Sequence, residues 1–205
     1  MTASPLVPGS RPRVAGLLLA AGGGRRLGGH PKALLEHHGR PLVEHAAGVL
    51  REAGCGPVHV VLGAAADAVR TRARLPGCVL VENPAWTEGM GSSLRAGLAS
   101  LAGTTTEAVV VTLVDQPGIG PEAVARVLAA HGSRSDLVTA AYGERRGHPV
   151  LIGADRWPAV IASAVGDRGA RAYLRQHEGE ITRVDCADIA VPDDIDTPED
   201  LGLLG

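Results

Sequence analysis

The chain has 205 residues, enough for one well-buried α/β domain and short for two. Apolar residues make up 45% of it and aromatics only 2%, with no Phe, so the core has to be built from Ala, Val, Leu and Ile, a composition that suits parallel strands covered by helices. A net charge of -2 offers no general attraction to nucleic acid or an anionic membrane and points to small-molecule substrates.

Residues 1–12 read as a disordered lead ahead of a single domain spanning 13–205. Arg11 and Arg13 before "VAGLLLAAG" have some look of a signal peptide, but the apolar stretch is short and runs into Gly-Gly-Gly-Arg-Arg. No run approaches the roughly 20 apolar residues that span a bilayer. Cys55, Cys78 and Cys186 are widely spaced with no CxxC pair, which argues against both a disulfide framework and a structural zinc. Buried thiols in a cytoplasmic protein are the expectation.

The first predicted strand covers residues 14–19 and feeds the loop "AAGGGRRLGGHPK", which ends on Lys32, the only lysine among 20 basic residues. Glycines let backbone N–H groups converge on phosphate oxygens, and Arg25, Arg26 and Lys32 supply the neutralising charge. The loop fails the Walker A pattern, because Gly29 stands where the lysine should follow Gly23 and Gly28. It also fails the dinucleotide fingerprint: Leu27 replaces the third glycine after Gly22 and Gly24, and Leu62-Gly63 offers no ribose-binding carboxylate.

Helices are then predicted over 41–53 and 66–75, with strands over 58–62 and 79–81. The stretch "NPAWTEGMGSSLRAGL" leads into a helix over 93–101 with Ser92 or Ser93 as N-cap, and its Gly89 and Gly91 leave backbone free to meet a ligand. Next, "VVVTLVDQP" reads as a buried strand over 109–114 with Asp115 at its carboxyl end. A lone carboxylate there either caps a turn or the following helix, or holds Mg²⁺ with substrate phosphates.

A helix over 121–131 and a strand over 137–141 follow. In "RRGHPVL", Arg145, Arg146 and His148 precede a strand over 150–152 and could receive an anionic second substrate. After a helix over 157–165, "GDRGARAYL" brings Asp167, Arg168 and Arg171 into a helix over 170–177, for the same task or as a salt-bridged helix start. Finally "DDIDTPEDL" crowds five carboxylates together. Asp194 and Asp196 share a side if the segment is extended, as a divalent cation would need, while Thr197 and Pro198 look like a helix start. The βαβα order predicts a mostly parallel sheet flanked by helices, with ligands beyond the strands' carboxyl ends.

With these pieces in place, the chain resembles the molybdenum cofactor cytidylyltransferases and related nucleotidyltransferases. Their signature L-A-A-G-x-S-x-R-M-G-x-x-K is similar to Leu19-Ala20-Ala21-Gly22, then Arg26-Leu27-Gly28 and Lys32. Gly91-Ser92-Ser93-Leu94, Asp115-Gln116-Pro117, Gly147-His148-Pro149, Gly166 to Arg171 and Asp194 to Pro198 follow in family order. Gly24 departs from the usual Ser, Leu27 from Met, and the step from Gly28 to Lys32 is one residue longer.

The resemblance implies a single Rossmann-like domain that transfers CMP from CTP to the phosphate of molybdopterin and releases pyrophosphate. Arg26, Lys32 and Asp115 would be catalytic. The nucleotide would lie on Leu19, Ala20, Ala21, Gly22, Gly23, Gly24 and Arg25, with Asn83, Gly91, Ser92 and Ser93. The acceptor would meet Arg146, His148, Asp167 and Arg171. Asp115 with Asp194 or Asp196 would hold Mg²⁺. The "LAAG" opening, where guanylyl-transferring relatives tend to read "LAGG", favours CTP over GTP. Product hand-over to a molybdoenzyme or its chaperone is implied, and a monomer is compatible with all of this. The alternative within the class is a guanylyltransferase, or a cytidylyltransferase acting on another small phosphorylated acceptor, while Lys32 and Asp115 speak against a non-catalytic pterin-binding accessory protein.

Overall fold

A computed structural model describes residues 13–204, so the expected lead at 1–12 lies outside the described residues. The chain order is β1 (Val14–Ala20), β2 (Glu36–His37), β3 (Arg40–Pro41), α1 (Leu42–Glu52), β4 (Val58–Leu62), α2 (Ala66–Arg72), β5 (Cys78–Glu82) and α3 (Met90–Ala99). It continues with β6 (Ala108–Leu113), α4 (Pro121–Ala129), β7 (Leu137–Tyr142), β8 (Arg145–Gly153), α5 (Trp157–Ser163), α6 (Arg171–Gln176) and β9 (Ile181–Asp185). Seven strands form one sheet in the order β5-β4-β1-β6-β8-β7-β9. Only β8 runs against its neighbours β6 and β7; the other pairs are parallel, as the βαβα alternation predicts.

β1 is buried along its whole length because it lies between β4 and β6 and is covered on both faces. One face of the sheet packs on α1, α2 and α4 through residues such as Leu18, Leu50, Val69, Val110 and Val124. The other packs on α3, α5 and α6 through Leu17, Leu94, Val111, Val160 and Leu174. Helix α3 approaches β1 closely: a Cβ on its Gly97 would come within 2.5 Å of the Leu17 side chain, so a larger residue there would have to displace Leu17 in the core. Trp157 is 8% exposed, and its Nε1 donates to the Ile152 carbonyl at 3.0 Å.

Several boundaries differ from expectation. The helix expected over 93–101 starts three residues earlier, at Met90, with Gly89 at its N-cap. Ser92 and Ser93 are therefore inside the first turns and cap nothing. Thr197 and Pro198 do open a turn of 3₁₀ type, Pro198–Leu204. There the Asp200 carboxylate accepts the amides of Asp196 and Thr197 at 3.0 and 2.8 Å and the Thr197 hydroxyl at 3.0 Å, so the cap comes from Asp200 rather than from Thr197. Strand β8 starts at Arg145, five residues before the expected run, and β9 was not anticipated: it is a half-exposed edge strand with no continuous apolar stretch.

This topology places the site. From β1 the chain crosses first toward β4 and β5, then back past β1 to β6, so the strand order reverses between β1 and β6. Crevices at such reversals, beyond the carboxyl ends of the strands, are where open α/β sheets bind ligands. The glycine loop leaves β1 at this point and Asp115 leaves β6, two residues past the Leu19–Leu113 pairing.

Candidate active site

The loop after β1 is a tight turn built on Gly24, whose φ of 60° is left-handed. The amides of Leu27 and Gly29 both donate to the Gly24 carbonyl, at 2.8 and 3.0 Å, leaving the amides of Gly22 and Gly23 outside the turn. A Cβ on Gly24 would fall 1.8 Å from the His30 carbonyl oxygen. Two of the three departures from the family signature meet at this point: in the longer step to Lys32 the His30 carbonyl lies over Gly24, and no serine fits beneath it. Leu27 anchors the turn in the core at 7% exposure, while Arg25 and Arg26 stay exposed.

Lys32 points back across the crevice. Its Nζ donates to Asp115 Oδ2 at 2.7 Å and to Asp196 Oδ1 at 2.6 Å. Partial burial alone would lower the pKa of the ammonium, but Asp115, and after it Asp196, outweigh this and raise it. Arg26 reaches Asp196 more loosely, at 3.3 Å, in a pair whose side chains are 76% and 44% exposed. Pairs so exposed contribute little to stability. The backbone fixes the far partner: the Ile195 amide donates to the Asp115 carbonyl at 2.9 Å, and Ile195 is fully buried. Asp194 and Asp196 therefore flank an anchored residue. Asp196 faces Lys32, and Asp194 lines the adjoining cleft beside Gln116.

Burial, then the negative charge of Asp115, raises the pKa of Asp194, with Asp196 adding to the effect. Three carboxylates against the Lys32 ammonium and the exposed Arg26 guanidinium leave one excess negative charge when all are ionised, and oxygen ligands of this kind suit Mg²⁺ or a similar hard cation. As the side chains stand, no group of three or more His, Cys, Asp or Glu among the described residues is arranged to hold a metal, and Lys32 Nζ lies between Asp115 and Asp196.

The cleft is about 650 Å³ and opens on the α3/α6 face of the sheet. Leu19, Leu113, Val150 and Leu174 supply apolar walls, and Arg145, Arg146, Arg168, Arg171 and Arg175 surround them with positive charge. Arg146 is held by Glu178 at 2.7 Å, while its Nη1 is buried without a partner. His148 enters the cleft because β8 bulges: Thr139 pairs with Val150 but Ala140 with Gly147, so His148 and Pro149 stand outside the ladder. The Tyr142 hydroxyl donates to the His148 carbonyl at 2.8 Å and clamps the bulge. Burial, and next Arg171, push the His148 pKa down to about 4, which keeps the ring neutral at physiological pH.

The structure thus brings Arg26, Lys32, Asp115, Asp194 and Asp196 into one group, and Leu19, Arg146, His148 and Arg171 into the cleft beside it. Asp167 is exposed on the turn Gly166–Arg168, against Gly89 and outside the residues that line the cleft. Ala20 and Ala21 are buried at the end of β1. Asn83, Ser92 and Ser93 serve one another: the Asn83 amide donates to both serine hydroxyls, at 2.8 and 3.1 Å, and accepts the Ala85 amide at 3.1 Å. Gly91 packs on the Ala164 backbone. These four residues hold the start of α3 in place.

Sequence reasoning missed Trp86, whose side chain covers Gly23 and Gly63 beside the loop, and Thr139, a cleft residue whose buried hydroxyl has no partner. A lone threonine in the otherwise apolar run before Tyr142 was the available signal.

Residues 16–181 match the model of the MobA-like NTP transferase domain, and the chain belongs to that family. It is 45% identical to the nicotine blue oxidoreductase of Paenarthrobacter nicotinovorans over 200 residues, covering 94% of this chain and 97% of the relative. It is 30% identical to the molybdenum cofactor guanylyltransferase of Rhodobacter capsulatus, covering 92% and 93%. Among solved structures, the homologue of Rv0371c from Mycobacterium sp. strain JC1 superposes with a TM-score of 0.81 at 30% identity, over 95% of this chain and 96% of that one. Rv0371c of Mycobacterium tuberculosis H37Rv in complex with manganese does so with a TM-score of 0.74 at 28% identity, over 94% and 97%.

Proposed function

We propose that this MobA-like NTP transferase domain transfers CMP from CTP to the terminal phosphate of molybdopterin and releases pyrophosphate. The observation that carries the reading is the Lys32 ammonium bracketed by Asp115 and Asp196 next to an arginine-lined cleft that Gln116 and Asp194 border. An acceptor phosphate oxygen would form a bond to the α-phosphorus of CTP, while the bond from that phosphorus to the oxygen bridging to the β-phosphorus breaks. Neither event needs a covalent enzyme intermediate. The protein has to align the two and offset the charge of the leaving pyrophosphate.

Lys32 and Arg26 are the cations at hand for the pyrophosphate oxygens, and the glycine turn offers the amides of Gly22 and Gly23. Arg146, Arg171 and neutral His148 would hold the acceptor, whose flat apolar part fits between Leu19, Val150 and Leu174. Asp115 and Asp196, with Asp194 beside them, are the residues that would hold Mg²⁺. When bound, the ion would add positive charge at the nucleotide oxygens. The manganese complex of the M. tuberculosis relative supports a divalent-metal requirement.

For the choice of nucleotide, the Ala21 methyl and Trp86 close over Gly63 at the ends of β1 and β4. That restricted space supports a pyrimidine over guanine, although the R. capsulatus relative is a guanylyltransferase. Pyrophosphate release from CTP and GTP, with Mg²⁺ and molybdopterin, tests the reading.

A second reading has its own observation, the 45% identity to an oxidoreductase that acts on nicotine blue. Under it the cleft would take nicotine blue or a similar dye, and a nicotinamide nucleotide would supply the electrons. Leu27 in place of the third glycine and the missing carboxylate after Leu62 count against dinucleotide binding at the loop. Oxidation of NADH or NADPH by the dye in the presence of the protein separates the two readings.

A further inference from the structure

Behind the Asp115 turn, against α1 and adjoining the cleft at Leu113 and Gln116, lies a small void of about 10 Å³. His45, Thr112, Gln116 and Pro117 line it among apolar neighbours. Three buried polar atoms carried by these lining residues make no hydrogen bond of good geometry: Thr112 Oγ1 from β6, Gln116 Oε1 from the turn, and His45 Nε2 from α1, whose ring also lies against the Pro117 backbone. Thr112 is only 4% exposed, so bulk solvent does not serve its hydroxyl. Unpaired buried polar atoms are uncommon, and three from separate elements around one void point to a shared partner. A polar void of this size accommodates a single water molecule.

We propose that the void binds one ordered water that joins these three atoms, making His45 and Thr112 positioning residues for Gln116. The water donates to Gln116 Oε1, accepts the Thr112 hydroxyl proton, and pairs with His45 Nε2 as donor or acceptor according to the imidazole tautomer. Gln116 is the partition between the void and the cleft, since it lines both. On its cleft side Nε2 donates to the Pro192 carbonyl at 3.3 Å, and the amide lies near enough to the Asp194 carboxylate to favour its charged form. A flipped amide would turn its oxygen toward these two acceptors. By donating to Oε1, the water selects the orientation that steadies Asp194 beside Asp115. Water binding stands independently of the reaction; its effect on turnover rests on the transferase reading.

The test is a high-resolution crystal structure of the wild-type protein and of Thr112→Val, which keeps the shape and removes the hydroxyl. Expected is a density peak within hydrogen-bond distance of all three atoms in the wild type, and its loss in the variant. A dry wild-type void, or a water equally ordered in Thr112→Val, overturns the proposal. Kinetics test the positioning role: Thr112→Val and His45→Leu should raise the KM for the acceptor about tenfold, with kcat changed less and the melting temperature kept. His45→Gln, which retains a polar end, should recover most of that loss. An unchanged KM in both Thr112→Val and His45→Leu overturns the positioning role. If the wild-type protein releases no pyrophosphate, the transferase reading fails, and the water proposal is still decided by the density.

Discussion

Lys32 Nζ donates to Asp115 Oδ2 at 2.7 Å across 83 residues of sequence, joining the glycine loop after β1 to the carboxyl end of β6. The side chains are 15% and 18% exposed, so the pair is partly shielded from water and its charges are screened less than those of a surface pair.

Removing either member should cost transition-state stabilisation. Lys32→Ala and Asp115→Ala are each expected to lower the rate of pyrophosphate release by about 10² to 10⁴. Lys32→Arg should not restore it, because a planar fork does not replace a compact ammonium held at 2.6 and 2.7 Å between two carboxylates. Steady-state kinetics on the three variants checks this. Normal turnover in Lys32→Ala or Asp115→Ala removes that residue from its role.

Ala21 is 6% exposed, and its methyl fills space that a glycine would leave open beside Gly63 and Trp86. Ala21→Gly should shift preference from CTP toward GTP by about tenfold, the scale that one missing methyl in a pocket provides. The ratio of kcat/KM for the two nucleotides reads this out, and an unchanged ratio removes Ala21 from nucleotide choice.

Gly24→Ala meets two obstacles at once, a φ of 60° and the His30 carbonyl. The turn has to open, so the variant should lose more than about 1 kcal/mol of stability. It should also bind nucleotide more weakly. Thermal unfolding, with Trp86 fluorescence on nucleotide titration, measures both effects. A variant as stable as the wild type would show that His30 does not sit over Gly24.

The pH dependence of stability follows from His59, which is buried, and from His45 and His148, which are partly buried. Burial, and next Arg171, move the His148 pKa from the ordinary 6.5 to about 4. Burial also lowers His45 and His59. The unfolded chain therefore takes up protons that the folded chain refuses. Stability from these groups is complete above pH 6.5 and is lost as the pH falls toward 4. The melting temperature should fall between about pH 7 and about pH 4.5, and His148→Gln should show a shallower fall. Equal slopes would mean that His148 is not held neutral.

Much of this arrangement was legible in the sequence. Apolar runs such as residues 58–62 gave strands because both faces of a central parallel strand are covered, and the lone lysine after the glycines marked the loop. Two things were hidden. Strand β9 lies half-exposed at the sheet edge, with no fully buried residue and no apolar run, so hydropathy gave no signal. The pairing of Lys32 with Asp196 spans 164 residues and depends on the Ile195 anchor, which spacing cannot report. The serines expected to cap α3 failed for a local reason: Asn83 engages their hydroxyls from below, and the helix begins earlier, at Met90.

The most direct test of the transferase account is pyrophosphate release by the wild-type protein with Mg²⁺, molybdopterin and either CTP or GTP. The account predicts release that requires the acceptor, requires the metal and is faster with CTP. No release from either nucleotide, together with NADH- or NADPH-dependent reduction of nicotine blue or a similar dye, would contradict it.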